Sequence, residues 1–337
     1  MGTSIDTVLN LRSAREWHSE LEDAEGTAHW KNAAGAEECV HRLERIVAAA
    51  RARGLQLESK QRRASVSRLR EDLNLQEAII ARAVQFLQRR QASGAPLEDE
   101  WRVLTSNTKI LEESIAESRA AMSHAEELPQ LGSGAEEVRL RVRAVANRYL
   151  QAAGFLFDRA ELIAYLAALQ EDVELTNTEI SALKGFLNLA LLGRVATHAQ
   201  KLSMPGRTSS AQNESTPAPS LAAMFASLRT LGLTDWDEVF VEASLCEQAL
   251  AQDPARAFDK MEKAAKADYR GAVAELARKS VQSEAEVARR AVQLAQQLPR
   301  GANVRANERR SHVGFYLRAE GRKQLERELG VKDSWLV

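Results

Sequence analysis

The feature that most constrains the fold is a run of regularly spaced residues between Leu97 and Leu128. Eight positions there alternate at spacings of four and three residues, the repeat that aligns side chains along one face of a helix. They are Leu97, Trp101, Leu104, Thr108, Leu111, Ile115, Ser118 and Met122. The pattern predicts a long helix that packs in an antiparallel bundle. The alternative is a coiled coil between two copies of the chain, so a homodimer stays open.

The rest of the sequence is also dominated by residues that favour helices. Ala, Leu, Glu, Arg and Gln are abundant, whereas aromatic residues make up 5% of the chain and Pro occurs 7 times. With 337 residues, of which 45% are hydrophobic, the chain is long enough to form two cores. The composition predicts an all-α protein.

A change of composition divides the chain after Leu202. The stretch "SMPGRTSSAQNESTPAPS" replaces Leu and Ala with Pro, Ser, Thr and Gly, so it cannot bury much apolar surface. We therefore predict a flexible linker over 203–220. It would separate a helical bundle with long coiled-coil-like helices (1–202) from a small helical domain (221–337).

Several helix starts can be predicted from their capping residues. Thr176 with Glu179, and Ser283 with Glu286, have the spacing of a capping box, in which a hydroxyl and a carboxylate each accept a backbone amide. Asp253 followed by Pro254 predicts another helix start, since Pro is tolerated in the first turn.

The C-terminal stretch "RRSHVGFYLRAEGRKQLE" differs from this helical pattern. Its apolar and polar residues alternate with the period of a strand. It predicts a short strand-like arm that is a catalytic loop, an anion site or a docking segment. Docking against the small helical domain or another protein fits best, because His312 belongs to no recognised catalytic motif. The docking candidates are Arg309, Arg310, His312, Val313, Phe315, Tyr316, Leu317 and Arg322.

A basic run lies near the N-terminus, although the net charge of −1 gives no general attraction for nucleic acid, which we do not expect as a partner. Residues 51–70 contain seven Lys or Arg and one Glu. The run is typical of a solvated helix face, and the alternative is contact with an anionic partner such as a membrane surface. Its basic residues are Arg51, Arg53, Lys60, Arg62, Arg63, Arg68 and Arg70.

Motifs that carry chemistry are not found in the sequence. No phosphate loop, zinc-protease motif or cysteine pair occurs, and the six histidines are isolated. We therefore predict no catalytic residue, metal or cofactor, and whether the chain is an enzyme stays uncertain. Two distant cysteines suit a reducing cytosol, and the apolar stretch 186–193 is shorter than the ~20 residues that span a bilayer. We expect a cytoplasmic protein, with a peripheral position at the inner membrane as the alternative.

Short motifs follow one another in a fixed order through the C-terminal third of the chain. They are Asp235–Trp236, Glu247–Gln248, Asp253–Pro254, Met261, Asp268–Tyr269–Arg270, Val273 to Arg278, Ser283 to Ala291, and Arg309 to Leu317 with Gly321–Arg322. In this order they closely resemble the cytosolic N-terminal region of bacterial cyclic β-1,2-glucan synthases. The likeness covers about 138–330, and "MEKAAKAD" departs from it by lacking the family's usual Phe and Thr.

The resemblance implies a role in β-glucan biosynthesis. Members of the family are large membrane enzymes in which this helical region precedes transmembrane helices, a glycosyltransferase that uses UDP-glucose, and modules related to glycoside phosphorylases. The implied function is a non-catalytic regulatory or scaffold domain whose partner is another protein or those downstream modules. The alternative is a free-standing helical adaptor that binds an anionic partner or membrane surface.

Overall fold

The computed structural model describes residues 33–51, 66–94, 96, 98–123, 125–131, 139–203, 219–297 and 308–331. Regular structure in these segments is almost entirely helical, which confirms the predicted all-α class. A short antiparallel ladder is formed by Gln130–Leu131 (β1) and Arg139–Leu140 (β2), in which Gln130 is paired with Leu140.

The helices fall into an N-terminal and a C-terminal group. The first group is Ala33–Arg51 (α1), Val66–Ala92 (α2), Asp99–Ser106 (α3), Thr108–Ser123 (α4), Arg141–Ala152 (α5), Arg159–Gln170 (α6), Asn177–Ser203 (α7), Leu221–Leu233 (α8) and Trp236–Ala243 (α9). The second group is Leu245–Leu250 (α10), Lys263–Ser280 (α11), Glu284–Gln296 (α12), Val313–Arg318 (α13) and Arg322–Glu328 (α14).

Helix α7 is the central helix of the first group and packs against α2, α4 and α5. It approaches α4 closely at Gly185, where an added Cβ would lie 2.3 Å from the Cβ of Ala121. The hydroxyl of Ser118 donates to the carbonyl oxygen of Gly185 at 3.1 Å. Small residues on both helices therefore permit this contact, and Ser118 interrupts the apolar repeat because its hydroxyl bonds across it.

By length and composition alone, Asn177–Leu202 within α7 could cross a membrane. However, 67% of the most apolar window in this segment is buried within the protein. Surrounding helices thus supply the apolar environment that the sequence of α7 requires, as is common for the core helix of a bundle.

The predicted long helix over the four-three repeat is interrupted at Asn107, where α3 ends and α4 begins. The side-chain amide of Asn107 donates to the carbonyl oxygen of Val103 at 2.7 Å, which satisfies the end of α3. Of the predicted seam residues, Trp101, Leu104, Leu111, Ile115, Ser118 and Met122 are buried within one chain. This burial favours the bundle interpretation, and the homodimer stays a prediction.

Buried apolar side chains form two clusters among the described residues. The first extends from Ile46 to Ala243 and the second from Cys246 to Leu329. Helices α8 and α9 belong to the first cluster, although they follow the linker predicted at 203–220. The hydrophobic core therefore divides at about residue 244. Residues 204–218 lie outside the described residues.

A buried polar network joins the two clusters where α7 begins. The backbone amide of Asn177 donates to Glu284 at 2.8 Å, and the hydroxyl of Ser244 donates to the Asn177 side chain at 2.6 Å. The capping box of Thr176 and Glu179 is confirmed at the same helix start. These bonds fix the position of α12 relative to α7.

Candidate functional site at the C-terminal motif

The predicted strand-like arm is wrong, because Val313–Arg318 forms a short helix, α13. Its buried residues are Val313, Gly314, Tyr316 and Leu317, whereas Phe315 is partly buried. Val313, Tyr316 and Leu317 lie at i, i+3 and i+4 and so form one helix face. A strand would instead have placed Val313, Phe315 and Leu317 on one face and Tyr316 on the other. That face lies in the second hydrophobic cluster, as the docking interpretation expected for the small helical domain.

His312 explains why the helix begins at this point. Its backbone is extended, and its Nδ1 accepts a hydrogen bond from the backbone amide of Gly314 at 2.7 Å. The ring thus acts as an N-cap acceptor, and its edge contacts the ring of Tyr269 with centroids 6.1 Å apart. Both contacts position the motif, which gives His312 a structural role.

Two glycines in the motif allow aromatic rings to approach the backbone. A Cβ added to Gly314 would lie 2.0 Å from the hydroxyl oxygen of Tyr269. A Cβ added to Gly321 would lie 2.5 Å from the ring of Phe315. Both distances are shorter than any van der Waals contact, so a side chain at either position would displace a ring.

Asp253 joins the turn after α10 to the start of α13. The predicted helix at Asp253–Pro254 is wrong, since a turn leads instead to a short 3-10 helix at Phe258–Lys260. The two carboxylate oxygens of Asp253 accept from the backbone amides of Val313, at 2.9 Å, and Ala257, at 3.2 Å. Asp253 is 2% exposed, so these bonds satisfy a carboxylate that the fold removes from water.

Ion pairs connect the remaining motifs. Arg318 pairs with Asp268 at 2.6 Å, and Arg270 with the buried Glu247 at 3.0 Å. Arg322 pairs with Glu275 at 2.9 Å and with Glu326 at 3.0 Å.

The carboxylate of Glu275 is held between two cations. Hydrogen bonds from Lys279 and Arg322 lower the pKa of Glu275 to about 2. Arg322, predicted as a docking residue, therefore serves contacts within the chain.

Arg309 and Arg310 differ from these paired arginines. They lie on an exposed helical turn, and neither side chain forms a hydrogen bond or ion pair with any residue that the structure describes. Among the predicted docking residues they are the two that are exposed in the part of the chain that the structure describes.

The basic run near the N-terminus is only partly placed. Arg51 donates two hydrogen bonds to Glu171, at 3.1 and 2.9 Å, and this partner raises the pKa of its guanidinium. Arg68 and Arg70 are exposed on α2. The other candidates, Arg53, Lys60, Arg62 and Arg63, lie outside the described residues.

The contacts that hold this site together were not predicted from local patterns. Asp253, Tyr269 and Glu247 each contact a residue far away in sequence, which spacing cannot reveal. The signal that does include them is the ordered set of motifs, since each belongs to one. The geometry indicates that the motifs bind one another. In comparisons with protein-family models and with curated proteins, no match to this chain was found.

Proposed function

We propose that the chain is a non-catalytic scaffold or regulatory domain related to the cytosolic N-terminal part of cyclic β-1,2-glucan synthases. In this proposal it lies in the cytoplasm and acts through contact with membrane and glycosyltransferase modules. The contact of Asp253 with the start of α13 carries the proposal.

This contact joins two motifs that carry the resemblance, Asp253–Pro254 and Arg309–Leu317. Other motif residues behave in the same way, as Arg270 pairs with Glu247 and Tyr269 covers Gly314. Side chains used in this way stabilise a surface and are not available to transform a substrate. Such a framework suits a domain that holds or regulates its neighbours.

A domain exchange tests the proposal. The cytosolic N-terminal region of a cyclic β-1,2-glucan synthase would be replaced by this chain, and cyclic glucan would be measured in cells that lack their own synthase. We expect glucan synthesis with the chimera and none with the synthase that lacks an N-terminal region. A chimera that accumulates in the membrane but makes no glucan would contradict the proposal.

A second candidate is an adaptor that binds an anionic membrane surface. It is supported by the exposed Arg309 and Arg310, whose side chains form no hydrogen bond or ion pair with the residues described. Sedimentation with phosphatidylglycerol vesicles tests it, with phosphatidylcholine vesicles as control. Binding to phosphatidylglycerol vesicles that is lost in Arg309→Gln/Arg310→Gln supports the adaptor. If equal amounts of protein sediment with the two kinds of vesicle, the adaptor is excluded.

A further inference from the structure

A polar cleft of about 330 Å³ lies between α2, α5 and α7, away from the C-terminal motif. Its polar lining consists of two guanidinium groups, three side-chain amides and one hydroxyl. These belong to Arg143, Arg194, Gln76, Asn147, Gln151 and Thr197. No carboxylate is among the lining residues, so the cleft presents two guanidinium groups, one of which is paired with Asp72 outside the lining, beside groups that donate and accept hydrogen bonds.

Both arginines are held by neighbouring side chains. The guanidinium of Arg143 contacts Asp72 on α2 at 3.2 Å. The guanidinium of Arg194 lies over the ring of Phe155, 4.5 Å from its centroid. Such contacts restrict long side chains and reduce the entropy that a ligand would otherwise have to remove.

Phe155 itself has an unusual backbone conformation. It follows Gly154, and both residues have positive φ angles, 61° for Phe155 and 63° for Gly154. The Ser227 hydroxyl donates to the Phe155 carbonyl at 2.9 Å and accepts from the amide of Phe157 at 3.0 Å. Helix α8 therefore maintains a left-handed conformation that a non-glycine residue seldom adopts, and this conformation places the ring beneath Arg194.

Gln76 lines the same cleft opposite Gly193. Its Oε1 atom is buried and has no hydrogen-bond partner among the described residues. Across from it, a Cβ added to Gly193 would lie 3.1 Å from its Nε2 atom, so the absence of a side chain at position 193 keeps this part of the cleft open.

We propose that this cleft binds a small anion that also carries hydroxyl groups, the chemistry shared by monosaccharide phosphates and sugar acids. Guanidinium groups recognise the anion, and the amides pair with hydroxyls as both donors and acceptors. The volume is near the lower end of the range of ligand sites, which suits one sugar unit. This binding does not depend on the scaffold role.

Isothermal titration calorimetry with the full chain tests the site. The probes are glucose 1-phosphate and glucuronate, with glucose as the neutral control. We expect at least one anionic probe to bind and glucose to bind about tenfold more weakly or not at all. The anion that binds more tightly shows whether the cleft prefers a phosphate or a carboxylate. Absence of binding by both, or equal binding of glucose, would overturn the proposal.

Variants then locate the binding. Arg143→Gln/Arg194→Gln should lower the affinity for the anionic probe by about tenfold or more. Arg229→Gln, on an exposed part of α8, should leave that affinity unchanged. If the double variant does not fold, NMR of the unmodified chain replaces this test. The signals to follow are those of the side-chain amides of Gln76, Asn147 and Gln151. Their shift on titration supports the site. Unchanged signals, or unchanged affinity in a folded double variant, would place the ligand elsewhere.

Discussion

The carboxylate of Asp253 accepts a hydrogen bond from the backbone amide of Val313, 2.9 Å away and 60 residues later in the chain. A second oxygen of the same carboxylate accepts from Ala257. One buried side chain therefore holds both the turn after α10 and the first residue of α13.

Replacing this carboxylate tests its structural role. Asp253→Ala leaves two amides without an acceptor, and Val313 is fully buried. We expect a loss of about 2 kcal/mol or more in the free energy of unfolding, measured in urea. Asp259→Ala, at an exposed position in the neighbouring 3-10 helix, should change it by less than about 0.5 kcal/mol. Equal effects of the two changes would show that Asp253 has no special role.

Val281 offers the opposite test, a stabilising change. It ends α11 with φ 60° and ψ 19°, and it is 97% exposed. A β-branched residue is strained in this left-handed conformation, whereas Gly adopts it readily. Val281→Gly should therefore raise the free energy of unfolding by about 0.5–1 kcal/mol. Val281→Ala retains a Cβ and should therefore stabilise the protein less than Val281→Gly does. If Val281→Gly instead destabilises the protein, this turn is not left-handed in solution.

The Glu161 carboxylate should make stability depend on pH. Burial raises its pKa from 4.5 to about 7, and the attraction of Arg42 at 2.8 Å only partly opposes this effect. The folded state thus holds a proton that the unfolded state releases, so this contribution to stability is complete below about pH 4.5. It is lost as the pH rises through about 7.

Thermal unfolding of Glu161→Gln checks this dependence. Because the amide does not titrate, the fall in melting temperature between pH 5 and pH 8 should be smaller in the variant than in the unmodified chain. Identical pH profiles would show that Glu161 titrates at its ordinary pKa in the folded protein.

Limited proteolysis addresses the predicted linker. Its Pro, Ser and Thr content predicts cleavage within 203–220. The two products should nevertheless remain together during native size-exclusion chromatography, because Leu221, Phe225 and Leu228 of α8 are buried in the first hydrophobic cluster. Fragments that separate without denaturant would contradict this packing.

Local patterns predicted the helices well where the relevant contacts are close in sequence. The capping boxes at Thr176 and Ser283 are present, since each depends on residues three positions apart. The alternation at 312–317 was misleading because so short a stretch fits the period of a strand and also a helix that buries Val313, Tyr316 and Leu317. The cap from His312 decides between the two. Asp253 was misassigned for a similar reason, because its decisive partner is distant.

The cleft could not have been recognised from sequence. Its polar residues come from three helices and are Arg, Asn, Gln and Thr side chains of kinds that are ordinary on any helix surface. Only the packing of α2, α5 and α7 brings them together. The left-handed Phe155 also follows from tertiary contacts, chiefly those of Ser227.

The most direct measurement of whether the ordered motifs form a structural framework compares two glycines of the C-terminal group of helices. Gly314→Ala would place a Cβ 2.0 Å from the Tyr269 hydroxyl, whereas a Cβ on Gly271, in α11, would meet nothing closer than 3.8 Å. In urea unfolding, Gly314→Ala should lower the free energy of unfolding by about 1–3 kcal/mol, and Gly271→Ala should raise it by up to about 1 kcal/mol. A Gly314→Ala protein as stable as Gly271→Ala would contradict the framework.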